Sequence, residues 1–202
     1  MLETEAADTN VNSSPDSTMT YMVGENAFST DELDRLVAYG DSLALQKAVL
    51  VGDTWRQEDA DRIRITRNAW MTLNEDTQWV YERMQALMAG ANEQFHKFEL
   101  NGFSDDFQYT VYHGTEGGHY DWHMDLTTQQ FPRKLSLSIQ LSDPNDYEGC
   151  DLQFYGSRQL ETAPRTRGAA IIFPSYIMHR VTPVISGTRK ALVAWASGPR
   201  FK

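Results

Sequence analysis

The rhythm of apolar and polar positions changes once along the chain, near residue 100. Before that point apolar residues recur at three and four. Leu33, Leu36 and Val37 predict a helix over about 30–40, opened by the capping-box pair Ser29 and Glu32 and stopped at Gly40. Val80, Met84, Leu87, Met88, Ala91 and Phe95 predict a second helix with Asn74 as candidate cap, and its stripe of methionine and aromatic residues reads as core packing. After Gly102 the runs are short and rich in β-branched and aromatic residues: FQYTVYH (107–113), HYDWHMD (119–125), KLSLSIQL (134–141), DLQFY (151–155), GAAIIF (168–173), HRVTPVI (179–185) and RKALVAW (189–195). Turn formers such as Gly114, Gly117-Gly118, Asp143-Pro144-Asn145, Gly149, Gly156, Pro174 and Gly187 separate them. Seven such runs with no helical pattern between them predict a mainly β fold with N-terminal helices. The core is then a sandwich or double-sheet jelly roll, braced on one face by the helices.

Composition sharpens the boundaries. Residues 1–20 are rich in Thr, Ser, Asn, Asp and Glu and are expected to form a mobile tail. The remainder, 21–202, is expected to be a single domain, with helical support over about 27–100 and the jelly-roll core over about 105–198. The chain has no apolar run long enough to span a bilayer and no signal-like N-terminus, and its one cysteine, Cys150, fits a reducing compartment, so a cytoplasmic location is expected.

The net charge of −10 is unevenly spread. Residues 1–60 hold twelve acids and three bases, whereas residues 126–202 hold five acids and ten bases. The acidic balance therefore belongs to the N-terminal third and leaves room for an anionic ligand further on. No dense Lys/Arg stripe with interleaved aromatics is present, which disfavours nucleic acid as a partner.

Candidate chemistry gathers in HYDWHMDL, where His119, Asp121, His123 and Asp125 would share one face of a regular strand. His123 and Asp125 are close enough to share a metal ion, but a lone His-x-Asp is common and needs a third ligand. His179, 54 residues after Asp125, begins a later β-rich run. Two histidines and one carboxylate make a facial triad that leaves positions open and suits non-haem Fe(II). The His119/His123 pair would suit zinc on a helix, but Gly117-Gly118 argues against a helix here. A structural zinc site would also need a fourth N or S ligand. Arg189 follows ten residues after His179. If the two strands pair antiparallel, Arg189 faces the same cavity, where a buried guanidinium needs an anion such as a dicarboxylate chelating the metal at its other end. The alternative is an Arg189 that lies at the surface or pairs with a protein acid.

Taken together, Tyr112, Tyr120, His123-Met-Asp125, His179 and Arg189 resemble the Fe(II)- and 2-oxoglutarate-dependent dioxygenases, in particular the prolyl 4-hydroxylase-like branch with its PKHD-type hydroxylases. The resemblance is strongest over about 107–200, through KLSLSIQLSDPNDYEGCDLQFY and HRVTPVISGTRKALVAWASGP. It implies that His123, Asp125 and His179 bind iron and that Arg189 binds the distal carboxylate of 2-oxoglutarate. It also implies that Tyr112 and Tyr120 line the co-substrate pocket, that O2 is the oxidant and that ascorbate is an accessory. Cys150 stands where a second glycine is usual, and Ala191 where a Ser or Thr often assists the basic residue.

The implied function is hydroxylation of an unactivated C–H bond, with a peptidyl proline as first candidate, releasing succinate and CO2. Hydroxylation of a free amino acid or another small metabolite is the alternative within the class. Outside it stands a non-catalytic metal-binding jelly-roll module. Arg64, Arg67 and Trp70, in IRITRNAW, are candidates for the substrate side of the mouth, against the reading of an edge strand with solvated arginines. Trp122 and Trp195 are expected to pack rather than to take part in chemistry.

Overall fold

The computed structural model describes residues 20–48, 57–127, 130–156 and 159–201, without the side chains of residues 57 and 58. The expected tail over 1–20 lies outside the described residues but for Thr20. In chain order the elements are β1 (Met22–Gly24), α1 (Thr30–Ser42), β2 (Gln46–Lys47), α2 (Gln57–Ile63), β3 (Arg64–Ile65), β4 (Arg67–Met71) and α3 (Gln78–Ala91). They continue with β5 (Gly102–Phe103), β6 (Phe107–His113), β7 (His119–His123), β8 (Arg133–Gln140), β9 (Tyr147–Gly149), β10 (Leu152–Tyr155), β11 (Leu160–Thr162), β12 (Ala170–Pro174), β13 (His179–Val181) and β14 (Val184–Ser197).

These strands form two antiparallel sheets, the jelly-roll arrangement that the spacing of the β runs predicts. The larger runs β1-β12-β8-β14-β6-β4-β2, with β5 and β9 also paired to β14, and the smaller runs β11-β10-β13-β7-β3. Alternation along the central strands divides their side chains between two cores. Phe107, Tyr109 and Val111, with Leu135, Leu137 and Ile139 and with Leu192, Ala194 and Ala196, pack against Leu33 and Leu36 of α1 and Val80, Met84 and Met88 of α3. The second core lies between the sheets, where Tyr112, Tyr147, Cys150, Leu152, Phe154, Ile171, Phe173 and Val181 meet. The helices thus brace the outer face of the large sheet, and the interior between the sheets is left for chemistry.

Three local expectations change. The Ser29–Glu32 capping box forms, with Glu32 N donating to Ser29 Oγ and Ser29 N to Glu32 Oε2, but α1 does not stop at Gly40. Gly40 is buried because the ring of Tyr109 lies where its side chain would be; a Cβ there would come within 2.4 Å of the ring. Asn74 does not cap α3 directly. Its side chain accepts from the backbone N–H groups of Asp76 and Thr77 and shapes the turn before the helix, whose cap position is Thr77.

The third change matters most for the site. HRVTPVI and RKALVAW do not form a hairpin across Gly187. The chain breaks at Thr182-Pro183 and β14 continues unbroken through Gly187, which takes φ +75 beside a register shift against β9. β13 pairs with β10 and β7 in the small sheet, while β14 pairs with β6 and β8 in the large one. Arg189 therefore approaches the interior from across the sandwich and not from the strand beside His179.

Candidate active site

β7 supplies the first ligand candidates through an irregularity. Tyr120 pairs with Val181 and His123 with His179, so three steps on β7 oppose two on β13. The additional residue is a bulge, which shifts the phase of alternation. Tyr120, rather than Asp121, comes to share the inner face with His123, and the two rings stack at 3.5 Å between centroids and 11° between planes. The shared face that a regular strand would give His119, Asp121 and His123 is therefore absent, and His119 and Asp121 stand apart from the ligand candidates. Asp121 is exposed, and the ring nitrogens of His119 face the carbonyls of Gly117 and Arg62. Trp122 turns outward, against Tyr155 and under Arg180.

β7 ends at His123, and the extended segment beyond it carries Asp125 back over the large sheet. His123, Asp125 and His179 each offer a ligand atom within 4.8 Å of the other two, the one such cluster among the described residues. Asp125 lies 3.7 Å from His123 Nε2 through one oxygen and 3.6 Å from His179 Nε2 through the other. His123 Nδ1–H donates to the carbonyl of Asp121 at 2.8 Å and His179 Nδ1–H to that of Ile177 at 2.9 Å. A carbonyl can only accept, so both rings carry a proton on Nδ1 and turn Nε2 toward the carboxylate. That is the tautomer a metal-binding imidazole requires, held by the outer contacts that commonly orient such ligands.

A second layer fixes the carboxylate. Ser136 Oγ donates to Asp125 Oδ2 at 2.7 Å, and Ser175 Oγ, 3.0 Å from Ser136 Oγ, is left to donate to it in turn. Burial opposes ionisation of Asp125, but the two imidazoles, the Trp195 indole and Ser136 outweigh it and hold the carboxyl below its ordinary range. The Trp195 indole N–H makes no hydrogen bond of normal geometry, so it acts on Asp125 through its dipole. Burial, with His179 beside it, pushes His123 down to about 4, so the ring stays neutral at ordinary pH. Two imidazoles and one carboxylate fit a divalent metal of the Fe(II) kind and leave its remaining positions open.

Arg189 is 2% exposed and forms no ion pair among the described residues, which goes against both the surface reading and the paired-acid reading of this residue. Its Nε and Nη2 both donate to Gln140 Oε1, at 3.1 and 2.8 Å. Its other neighbours are Cys150, Tyr112 and Tyr147, none of them a carboxylic acid. Burial pushes the Tyr112 phenol up to about 12 and the Cys150 thiol up to about 11, with the Arg189 charge opposing in both cases, so each keeps its proton. A buried cation ringed only by neutral groups is costly unless an anion joins it.

IRITRNAW divides between sheets. Arg67 pairs with Glu116 at the surface, and Trp70 is 49% exposed beside Trp195. Arg64, on β3 opposite Tyr120, turns inward, so the solvated reading holds for Arg67 and fails for Arg64. Sequence reasoning passed over Ser136 and Gln140. The signal was present in KLSLSIQL, whose strict alternation puts Ser136, Ser138 and Gln140 on one face and Leu135, Leu137 and Ile139 on the other. The polar face is the interior one. A wide cleft lined by Leu73, Tyr81, Phe103, Asp105 and Asp106 holds no histidine or cysteine and shares no residue with the cluster.

A jelly roll whose interior presents two histidines, one aspartate and an unpaired arginine has the site architecture of a 2-oxoglutarate- and iron-dependent oxygenase. Residues 107–197 match the model of the 2OG-Fe(II) oxygenase superfamily, a stretch that contains Tyr112, Tyr120, His123, Asp125, His179 and Arg189. Among curated proteins the chain is similar to PKHD-type hydroxylases. That of Colwellia psychrerythraea is 31% identical over 119 residues, covering 56% of this chain and 53% of the relative. That of Teredinibacter turnerae is 34% identical over 85 residues, covering 39% and 38%. The chain thus spans about half or less of the length of these relatives. A Pseudomonas putida prolyl-4-hydroxylase structure shares the fold at a TM-score of 0.70 and 20% identity, covering 91% of this chain and 95% of that one. A Trichoplax adhaerens prolyl hydroxylase, solved with a peptide fragment of hypoxia inducible factor, does so at 0.72 and 17%, covering 89% and 84%.

Proposed function

We propose that this chain is an Fe(II)- and 2-oxoglutarate-dependent dioxygenase that hydroxylates an unactivated C–H bond, with a peptidyl proline as the first substrate to test. The observation that carries the reading is Arg189, a buried guanidinium with only neutral partners in the same interior as a His/Asp/His cluster. When bound, the metal and 2-oxoglutarate supply O2 activation, with succinate and CO2 as by-products and ascorbate to keep the iron reduced.

The chain's own residues have separate tasks in this reading. His123, Asp125 and His179 hold the metal, their outer hydrogen bonds fixing tautomer and orientation. Arg189 takes the distal carboxylate of 2-oxoglutarate through its fork, and Gln140 holds that fork without neutralising it. Tyr112 and Tyr120 wall the co-substrate pocket, Tyr112 as a protonated donor. The bracing helices and the sandwich walls keep bulk water from the reacting centre. Preference for a peptidyl substrate is supported by the prolyl hydroxylase fold and by the exposed apolar residues Trp70, Met124, Leu126 and Met178, near the cluster in sequence or contact. A reducing cytoplasm is the setting this chemistry fits. Among the described residues no helix is long and apolar enough to cross a membrane.

The test is spectroscopic. Anaerobic protein given Fe(II) and 2-oxoglutarate is expected to develop a weak visible charge-transfer band, which His179→Ala removes. A band that survives that change would sink the assignment. A peptide-library screen for the mass gain of one oxygen atom then addresses the substrate.

A further inference from the structure

The interior holds a second arginine that nothing yet described uses. Arg64 lies on β3, the edge strand of the small sheet, directly across from Tyr120. Its guanidinium sits 4.4 Å over the Tyr120 ring, which in turn stacks on His123. Nη2 donates to Gln108 Oε1 at 2.9 Å and, with the Asn68 amide turned to satisfy its own neighbours, to Asn68 Oδ1 at 2.7 Å. Nε is buried and has no partner, and no carboxylate among the described residues lies within ion-pairing distance. Arg133, the other arginine near this wall, is already neutralised by Asp105 at 2.9 Å.

The charges facing the cluster can then be summed. Arg64 and Arg189 contribute two positive charges and Asp125 one negative, and imidazoles that ligate a metal add none. A divalent metal adds two positive charges and a doubly ionised co-substrate removes two. The loaded cavity is left with one uncompensated positive charge. Arg189 is 2% exposed and is fixed from behind by Gln140, whereas Arg64 is only partly buried, on an edge strand. Arg64 is therefore the cation that an incoming molecule meets. A lone positive charge in a partly desolvated cavity favours an anionic guest, and a planar guanidinium with no acid beside it favours a carboxylate.

We infer that Arg64 anchors a carboxylate carried by the primary substrate, close to the carbon that is hydroxylated. This rests on the oxygenase reading and narrows its substrate class to acids. The carboxylate has two possible sources: the α-carboxylate of a free or C-terminal residue, or an acidic side chain next to the target residue in a peptide. Either would cancel the remaining charge and give Arg64 the ion pair it lacks.

The test compares matched acids and amides in protein loaded with Fe(II) and 2-oxoglutarate, with succinate release as the readout. One pair is N-acetyl-L-proline and N-acetyl-L-prolinamide. The other is a peptide with proline followed by Asp and the same peptide with Asn. The acid of at least one pair is expected to show a KM at least about tenfold below that of its neutral twin. Arg64→Gln should bring that ratio to near one, and Arg64→Lys should retain part of it. A purely structural role, with Arg64 only clamping Tyr120, would raise the KM of acid and amide alike and overturn the inference. So would equal KM values in the unmodified protein, a preference that survives Arg64→Gln, or substrate-independent succinate release that no acid stimulates. Failure of the underlying reading is distinct: no succinate forms from 2-oxoglutarate under any condition and no charge-transfer band appears.

Discussion

Arg189 turns two of its nitrogens, Nε and Nη2, onto the single amide oxygen of Gln140, at 3.1 and 2.8 Å. The amide satisfies the donors and orients the fork while leaving the charge intact. An acid at position 140 would do the first and undo the second. Gln140→Glu is accordingly expected to raise the melting temperature of the ligand-free protein, since a buried cation gains its counter-ion. It should also weaken 2-oxoglutarate binding at least about tenfold, because an internal carboxylate already occupies the fork. Calorimetric titration of the Mn(II)-loaded variant separates the two effects, and undiminished 2-oxoglutarate affinity would show that Arg189 serves another purpose.

Ser136 touches no open metal position, yet it holds the oxygen of Asp125 that faces His179. Removing such an outer partner typically costs about ten- to a hundredfold in metal affinity. Ser136→Ala should show a loss of that order for Fe(II) or Mn(II), with the fold intact by circular dichroism. Metal affinity equal to that of the parent protein would mean that the two imidazoles alone position the carboxylate.

Cys150 is buried, with its thiol pushed up to about 11, so at pH 8 roughly one molecule in a thousand carries the reactive thiolate. Maleimide labelling of the folded protein is expected to be slower than labelling in denaturant by two orders of magnitude or more. Rapid labelling of the native state would show that the wall around Arg189 opens readily.

Gly40→Ala gives the sharpest check on the helix–sheet contact. In an exposed helix this change stabilises, because alanine has the higher helix propensity. Here the added Cβ would meet the Tyr109 ring, which cannot retreat because its hydroxyl donates to Asp41 Oδ1 at 2.8 Å. A destabilisation of about 1–3 kcal/mol is expected, read from chemical denaturation. A gain in stability would contradict the packing described for α1.

The ligand candidates were legible from sequence because their chemistry is unusual in one dimension: a His-x-Asp, a distant His and an Arg at a fixed step. The two bracing helices and the β-rich second half were legible because periodicity reflects burial directly. What escaped were features set by tertiary contact. Gly40 reads as a stop until the ring of Tyr109 is known to lie against it. Pairing of the strand at His179 with that at Arg189 looks natural until Gly187 continues β14 instead of turning it. Ser136 and Gln140 are ordinary polar residues of a β strand, and only the inward direction of their face distinguishes them, while Arg64 stands among the candidates of IRITRNAW and only tertiary contact separates it from Arg67.

The bulge in β7 gives the site a discrete character. How the additional residue between Tyr120 and His123 is taken up decides whether an aromatic ring or a carboxylate stands beside the ligands. Straightened into strict alternation with no residue removed, the same strand would turn Tyr120 outward and Asp121 inward, setting a fourth carboxylate or imidazole donor where a vacant position is needed. The difference between a centre that can accept a gas molecule and one that is coordinatively shut thus comes down to how one residue is accommodated.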